Sequence, residues 1–273
     1  MYFLMEGSSK VMQSLQISQD VQQNRLLASL PTEVYQRLHA HLEPLELEYK
    51  LTLYEANQPI HFVYFLDTGV ASLVSTMKNG QAAEVGTIGN EGVVGLPIVF
   101  GDTSTLTSVY MQVRGFGLKI KATSFREVMR ESEPLRRSML HYAHAFFNQV
   151  AQTAACNLFH PLEQRCCRWL LSTRDRMRSS KFPLTQEFLA MMLGVQRTGV
   201  TLAAANLQRA GLIEYTRGNI KILDNTSLEQ HACECYDITK RDFDRLLGIF
   251  ESASNGNRQS RRAAVHGTSL KSN

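Results

Sequence analysis

The sequence contains no continuous apolar run that approaches the ~20 residues of a membrane-spanning helix. Its first segment, Met1–Met5, is apolar, but no basic residues precede it and no long apolar core follows. This pattern is not typical of a secretory signal peptide. The sequence therefore predicts a cytoplasmic protein that does not contact a membrane.

Cysteine is absent from the first half of the chain, and the total is odd. The five cysteines are Cys156, Cys166, Cys167, Cys233 and Cys235. An odd number without an export signal argues against a disulfide framework. The adjacent pair and the Cys-x-Cys pair also differ from the Cys-x2–4-Cys spacing that is common in zinc sites. We therefore expect buried free thiols and no metal or cofactor, with a metal or redox site as the alternative.

The sequence also lacks the local signatures of several enzyme classes. It has no Gly-rich phosphate loop, no nucleophile elbow and no recognisable pair of catalytic carboxylates. An enzyme that uses the cysteine-rich C-terminal half is a remaining alternative. We do not expect catalysis.

Charge is unevenly distributed along the chain. Residues 1–133 carry ten Lys and Arg against fourteen Asp and Glu, whereas residues 161–224 carry ten against five. A basic segment beside an acidic one is typical of a protein whose basic part meets a polyanion. A solvated basic face without a partner would give the same counts, so charge alone leaves both interpretations open.

The N-terminal half predicts an antiparallel β-domain. After a short helix that begins near Pro31, apolar and polar residues alternate over 45–53, which indicates one half-buried strand. Further short runs of strand formers lie at 60–66, 70–76, 82–88, 107–113 and 116–121. Gly-containing turns separate them, and Asn79-Gly80 is a strong signal for a tight hairpin. Many short strands with such turns imply a closed or double-layered antiparallel unit.

From Pro134 the apolar spacing lengthens to three or four residues, which predicts one long helix over roughly 134–158. It has two apolar sides, one with Leu135, Met139, Tyr142, Phe146 and Val150 and the other with Leu140, Phe147, Ala151 and Ala154. One side can pack on the sheet, and a two-fold coiled-coil contact would bury the other. We assign the dimer contact to the first of these two sides, from Leu135 to Val150.

Residues 185–224 predict a helix-turn-helix followed by a β-hairpin. Thr185 can cap the first helix, and Gly194 lies at a turn that needs positive φ. Val195 would fill the corner between the helices. The expected inner residues are Phe188, Leu189 and Met192 in the first helix and Val200, Leu202, Ala203 and Leu207 in the second. The hairpin over 212–223 would form a wing with Arg217 at its tip.

A helix of this kind fits the major groove of DNA with its first turns against the base edges. There an Arg can donate two hydrogen bonds to guanine, and a Gln can pair with adenine, each contact worth roughly 1–3 kcal/mol of discrimination. The predicted DNA-contacting residues are Thr185, Gln186, Gln196, Arg197, Thr198, Thr201 and Arg217. A helical corner packed inside an enzyme is the alternative.

Together, the β-domain, the long helix and the winged helix-turn-helix resemble the Crp/Fnr regulators over roughly residues 26–250. The resemblance implies an α+β fold with an N-terminal antiparallel β-roll (double-stranded β-helix-like), a long dimerisation helix and a C-terminal winged helix-turn-helix. It also implies a homodimer on a palindromic operator in double-stranded DNA, a small-molecule effector and contact with RNA polymerase. The expected parts are a flexible extension (1–25), an effector-sensing domain (26–133), a dimerisation helix (134–160), a DNA-binding domain with a closing helix (161–250) and a disordered tail (251–273).

The sequence departs from that family at places that matter for specificity. Arg197, the expected main base reader, is followed by Thr198, whereas family members often have a Glu there. The positions that hold ribose and cyclic phosphate in nucleotide-binding members are Val93 and Thr107 here, and a buried phosphate without a cation is poorly compensated. We therefore do not expect the usual cyclic AMP binding. The candidate effector residues are Glu91, Gly92, Val93, Gly95, Thr107 and Ser108.

Two further interpretations follow from this comparison. No cysteine precedes Cys156, so the N-terminal iron–sulfur cluster of some family members is not expected. A small-molecule binding module with a vestigial DNA-binding domain is the alternative to a DNA-reading regulator.

Overall fold

The computed structural model describes residues 24–248, so most of the predicted N-terminal extension and the whole predicted C-terminal tail lie outside the described residues. At the start of this range, Asn24 contradicts a loose extension up to residue 25, because it is fully buried. Its side chain caps helix α1 (Arg25–Ser29) and donates hydrogen bonds to the carbonyl oxygens of Leu66 and Gly92. The chain is therefore anchored to the β-domain from Asn24 onward.

Two antiparallel sheets form the N-terminal β-domain, which we call the roll. Their strand orders are β1-β8-β3-β6 and β2-β7-β4-β5. The strands are β1 (Glu43–Leu47), β2 (Thr52–Tyr54), β3 (Phe62–Leu66), β4 (Val70–Thr76), β5 (Ala82–Ile88), β6 (Val93–Val94), β7 (Ser108–Val113) and β8 (Gly115–Lys121). Both sheets contribute to one hydrophobic core, with Phe65 from one and Met111 from the other. This confirms the predicted double-layered antiparallel unit.

The prediction of one strand over 45–53 is wrong. β1 ends at Leu47 and β2 begins at Thr52, and the two strands belong to different sheets. The chain turns between them at Lys50, whose φ is +67°. The polar and apolar alternation continues through this turn, so the period of two could not reveal it.

Short helices flank the strands. They are α2 (Thr32–His39), which confirms the helix predicted after Pro31, α3 (Leu96–Val99) and α4 (Ala122–Glu131). The long helix α5 (Glu133–Phe159) follows, and Ser132 caps it by accepting a hydrogen bond from the Leu135 amide. The predicted long helix is thus confirmed to within about two residues, as expected for helix ends.

The assignment of the dimer contact to Leu135, Met139, Tyr142, Phe146 and Val150 is wrong. The first four are buried against the roll within one chain, and Val150 is half-buried against the same core. A second copy could reach them only if the roll came off the helix. Because both sides of the helix are apolar, sequence periodicity could not show which one faces the roll.

The C-terminal domain has helices around a three-stranded sheet of order β10-β11-β9. Its elements are α6 (Leu162–Met177), β9 (Lys181–Pro183), α7 (Gln186–Leu193), α8 (Arg197–Arg209), β10 (Ile213–Thr216), β11 (Asn219–Ile222), α9 (Asn225–His231) and α10, helical over residues 235–248. The predicted single closing helix over 226–250 is wrong, because the chain breaks at residues 232–234. That stretch has neither Gly nor Pro, so the break had no local signal. In the described range no single helix has the length and apolarity to cross a membrane.

The C-terminal domain docks on the β2-β7-β4-β5 sheet of the roll. Phe188 of α7 meets the rings of Tyr49 and Tyr110 at centroid distances of 6.1 and 6.3 Å. Nearby, the Arg176 guanidinium of α6 donates to the buried Glu91 carboxylate at 2.9 Å. Aromatic packing and a buried ion pair therefore fix the position of this domain on the roll.

Glu84 of β5 lies buried inside this interface. Its carboxylate accepts a hydrogen bond from the Trp169 indole at 3.2 Å. The Ser72 hydroxyl lies 2.6 Å from both Glu84 and the Gln112 amide oxygen, but it has one proton to donate. Burial raises the pKa of Glu84 to about 7, against the opposing effects of Ser72 and of the nearby Arg168 and Arg176. Protonated Glu84 can donate to Ser72, which leaves the Ser72 proton for Gln112.

This buried acid predicts a pH-dependent stability. Because the folded pKa of Glu84 is about 7 and its ordinary value is 4.5, the folded state holds this proton more tightly than the unfolded state does. At pH values below the ordinary pKa of 4.5, protonated Glu84 contributes its full stabilisation of the fold, about 3 kcal/mol. This contribution is lost as the pH rises through the folded pKa. Glu84→Gln cannot titrate, so its unfolding free energy in urea should fall less than the parent's between about pH 5 and about pH 8.

The exposed Glu127 supplies a matched control. Glu127→Gln should keep the pH dependence of the parent, because its side chain lies at the surface of α4. Identical pH profiles for the parent and Glu84→Gln would contradict the role given to Glu84.

Candidate DNA-binding surface and effector cavity

Helices α7 and α8 form the predicted helix-turn-helix. Their axes meet at 109°, within the roughly 90–120° that is typical of this motif. Gly194 ends α7 with φ +63°, and the Val195 amide donates to the Ala190 carbonyl at 3.0 Å. The Thr185 hydroxyl caps α7 by accepting from the Phe188 amide at 3.2 Å. The predicted cap, turn glycine and corner residue are therefore confirmed.

The inner face of this motif differs from the prediction at one residue. Phe188, Leu189 and Met192 of α7 are buried, as are Val200, Ala203 and Leu207 of α8. Leu202 was expected with them but is 63 % exposed. It lies four residues after Thr198, and residues four apart share one side of a helix. Leu202 therefore belongs to the outward face of α8.

The residues predicted to contact DNA lie mainly on the surface. Exposed side chains are Thr185, Gln196, Arg197, Thr198, Thr201 and Arg217, and Gln186 is half-buried. The Thr201 hydroxyl donates to the Gln186 amide oxygen at 2.7 Å, which links α8 to α7 on this face. Arg197 occupies the first position of α8, and Gln196 precedes it as the N-cap.

The hairpin β10–β11 forms the wing beside α8. Arg217 and Gly218 at its tip have φ of +48° and +77°, as a two-residue type I′ turn requires. The Tyr215 hydroxyl donates to the Leu184 carbonyl at 2.7 Å and holds the wing against the start of α7. Burial raises the pKa of Tyr215, and the positive charge of Arg197 opposes that shift, which places this charge near the wing. Arg197 at the start of α8 and Arg217 at the tip of the wing are both exposed cations.

A cavity of about 490 Å³ opens in the roll beside α5. Of the candidate effector residues, Val93, Gly95 and Thr107 line it. Most of the other lining residues are apolar, among them Tyr54, Leu73, Leu96, Phe146 and Phe147. The lining includes Asp102 but, within residues 24–248, neither Lys nor Arg. The cavity therefore offers apolar contacts and no cation for a phosphate.

Three of the candidate effector residues are not at this cavity. The carboxylate of Glu91 pairs with Arg176, and Gly92 packs so closely on Tyr142 that a larger residue would clash. The Ser108 hydroxyl accepts a hydrogen bond from the Ala56 amide at 3.0 Å. Glu91, Gly92 and Ser108 therefore do not line this cavity, and their part in an effector site stays a prediction.

Helix α5 exposes its second apolar side. Leu140, Phe147 and Ala154 lie seven residues apart, and a second row with the same interval holds His144, Ala151 and Leu158. All six are exposed, with Phe147 at 69 % and Leu158 at 76 %. We call these six residues the seam, because this heptad spacing is typical of a coiled-coil contact. Phe147 also lines the cavity, so the seam and the cavity adjoin.

The structure also gathers four residues that the sequence interpretation did not combine. Cys156, His160, Cys233 and Cys235 have their ligand atoms within 4.8 Å of one another. Cys156 and His160 stand four apart at the end of the long helix, which is a usable local signal. The other two are more than 70 residues away, and only the fold brings them close.

Comparison with known domain families agrees with this architecture. The family model of the cyclic nucleotide-binding domain matches residues 45–132, and that of the Crp-like helix-turn-helix domain matches residues 164–231. These two matches together cover more than half of the chain. No curated protein matches the sequence.

Solved structures share the fold at low sequence identity. A putative transcriptional regulator of the Crp/Fnr family from Eubacterium rectale has a TM-score of 0.59 and 18 % identity, covering 76 % of this chain and 96 % of its own. FixK2 from Bradyrhizobium japonicum has a TM-score of 0.60 and 14 % identity, with 70 % and 98 % covered. The c-di-GMP-responsive regulator CLP from Xanthomonas campestris has a TM-score of 0.59 and 13 % identity, with 71 % and 100 % covered. The chain has a cyclic nucleotide-binding domain followed by a Crp-like helix-turn-helix domain, and its fold contains the α+β roll, the long helix and the winged motif. This chain therefore belongs to the Crp/Fnr family of transcriptional regulators.

Proposed function

We propose that the protein is a homodimer that reads an inverted repeat in double-stranded DNA through α8. The observation that carries this proposal is the exposure of two arginines, Arg197 on the first turn of α8 and Arg217 at the tip of the wing. A recognition helix places its N-terminal residues against base edges, and a wing beside it reaches the phosphates. The two arginines therefore have different roles.

Arg197 is the proposed base reader. Its guanidinium can donate two parallel hydrogen bonds to O6 and N7 of one guanine. Thr198 follows in place of a Glu, so the neighbouring base pair meets a hydroxyl and a methyl group instead of a carboxylate. The hydrogen bond from the Thr201 hydroxyl positions Gln186 at the start of α7. There Gln186 and the neighbouring Thr185 would contact the DNA backbone.

The seam of α5 is the proposed dimer contact. Its six exposed positions follow the heptad spacing that lets two helices interlock. A contact of the seam with itself across a two-fold axis would cover Phe147 and Leu158 and pair the two C-terminal domains. The seam replaces the inner side of α5 that the sequence had suggested.

The cavity is the proposed effector site, and its chemistry favours a largely apolar ligand. CLP is described as responsive to c-di-GMP, a doubly anionic ligand. A cavity whose described lining offers Asp102 but no Lys or Arg would leave such phosphates uncompensated. An apolar ligand would contact Phe146 and Phe147 and so touch α5 directly. Contact with RNA polymerase and a cytoplasmic location are proposed from the family resemblance.

Variants of the two arginines separate base reading from phosphate contact. On duplexes that the protein enriches from a random pool, Arg197→Ala should lose about 1–3 kcal/mol of binding free energy but little on unrelated DNA. Arg217→Ala should weaken binding to all duplexes. It should also reduce the slope of log K against log salt concentration by about one, because one phosphate contact is lost. Fluorescence anisotropy titrations at several salt concentrations measure both effects.

The matched control is Arg209→Ala at the far end of α8, which should keep the discrimination between duplexes. The proposal for α8 fails if Arg197→Ala binds the enriched duplex as tightly as the parent. It also fails if Arg209→Ala removes the discrimination to the same extent.

The second prediction concerns the dimer. Phe147→Glu places a carboxylate in the apolar seam, so sedimentation velocity should show a monomer where the parent sediments as a dimer. The circular dichroism spectrum should stay unchanged, because Phe147 is mostly exposed within one chain. Phe116→Glu is the control, since Phe116 is a similarly exposed aromatic residue on β8. A monomeric parent, or a dimeric Phe147→Glu, would contradict the assignment.

The third prediction concerns the effector. Cyclic AMP at about 1 mM should leave the melting temperature unchanged, whereas a ligand at 100 times its Kd would add about 2.7 kcal/mol of stability. The neutral apolar dye Nile red should bind, and Thr107→Arg should weaken its binding by placing a charge in the cavity. A saturable upward shift of the melting temperature with cyclic AMP would refute the proposed chemistry.

A further inference from the structure

The four-residue cluster lies where the long helix meets the C-terminal domain. Cys156 is in the last turn of α5, and His160 is its C-cap, directly before Pro161 and α6. Cys233 and Cys235 lie at the break that separates α9 from α10. The cluster therefore joins the junction between α5 and α6 to the break between α9 and α10.

The distances in the cluster suit a single tetrahedral ion. The Sγ atoms of Cys156 and Cys233 are 3.5 Å apart, and the Cys235 Sγ lies 3.5 Å from His160 Nδ1. Zinc bonds of about 2.3 Å to sulfur and about 2.0–2.1 Å to nitrogen give tetrahedral edges of roughly 3.8 Å (S to S) and roughly 3.5 Å (S to N). These two separations are close to the tetrahedral values, and the remaining pairs of ligand atoms lie within 4.8 Å.

The three cysteines of the site share one buried environment. The three thiols are buried, at 0 %, 5 % and 1 % exposure. Thiolates, not thiols, bind metals. Gln152 also donates to the Cys235 sulfur at 3.0 Å, which would support negative charge there.

His160 is oriented as histidine ligands usually are. Its Nδ1 faces the sulfurs, and its Nε2 lies 3.1 Å from the Glu234 carboxylate. A ligating histidine commonly donates its other ring N–H to a carboxylate, which fixes the tautomer and the ring orientation. Glu234 lies between the two cysteines Cys233 and Cys235, so one short loop supplies both ligands and this support.

We propose that Cys156, His160, Cys233 and Cys235 bind one Zn²⁺ ion with tetrahedral geometry. Three thiolates and one imidazole form a closed set of protein ligands, as in structural zinc sites. The ion would tie His160, at the junction between α5 and α6, to the α9–α10 break and so restrain the C-terminal domain relative to α5. That restraint bears on DNA binding only if the proposed function is correct, whereas the ion site is independent of it.

The test is metal analysis of the untagged full chain, purified with a reductant and without chelator. We expect about one zinc per chain, as in a closed structural site. Cys233→Ser should lose the zinc, and Cys167→Ala should keep it, because Cys167 is buried in a different cluster. Glu234→Gln should weaken zinc affinity roughly 10- to 100-fold in competition with a fluorescent chelator.

Cobalt supplies a readout that does not need a stable zinc-free variant. Co²⁺ added to the chelator-treated parent should give the visible absorption of a tetrahedral cobalt thiolate, and His160→Gln should weaken and shift that absorption. These measurements use no DNA, so a failure of the proposed DNA binding leaves their outcome unaffected.

Several results would overturn the proposal. Free thiols with neither zinc nor a cobalt spectrum would do so, as would a Cys156–Cys233 disulfide found by mass spectrometry in the reduced preparation. Stoichiometric iron with acid-labile sulfide would replace the single ion with a cluster. Equal loss of zinc in Cys233→Ser and Cys167→Ala would assign the effect to the fold and not to the ligands.

Discussion

Helix α5 carries apolar side chains on two sides, and one chain covers only one of them. The inner side, with Tyr142 and Phe146, completes the core of the roll. The seam on the other side leaves Phe147 and Leu158 in water. Covering apolar surface gains roughly 25 cal/mol for each Å², so a second copy of the same helix is the natural partner. A parallel pair of these helices would carry two recognition helices related by the same axis.

The second constraint is the docking of the C-terminal domain on the roll. Phe188 packs on the β2-β7-β4-β5 side of the roll, and the buried Glu84 and Glu91 face Trp169 and Arg176 across the same interface. Breaking a buried ion pair leaves an unpaired charge, which costs more free energy than the pair contributes to stability. The pair therefore holds the C-terminal domain in the position in which both charges are paired. A ligand in the cavity would touch Phe146 and Phe147 of α5. Such a ligand would change the position of the C-terminal domain only by binding one position more tightly than another.

The sequence was sufficient where the signal is local. The ends of α5, the cap of α7, the turn at Gly194 and the tight wing turn all follow from periodicity or from backbone requirements of single residues. The sequence was insufficient for features that depend on contacts between two distant segments. The side of α5 that faces the roll depends on its partner. The pairing of Glu91 with Arg176 joins positions 85 residues apart, and Cys156 meets Cys233 over 77 residues. Spacing within one segment carries no information about such contacts.

Selection of random duplex DNA by the purified protein is the most direct test of dimeric DNA reading. We expect enrichment of an inverted repeat whose half-sites lie about one helical turn apart, roughly 34 Å between centres. Guanine should recur at the position that Arg197 faces in each half-site. Enrichment of a single unpaired half-site, or no enrichment with or without added cell extract, would contradict a dimeric DNA reader.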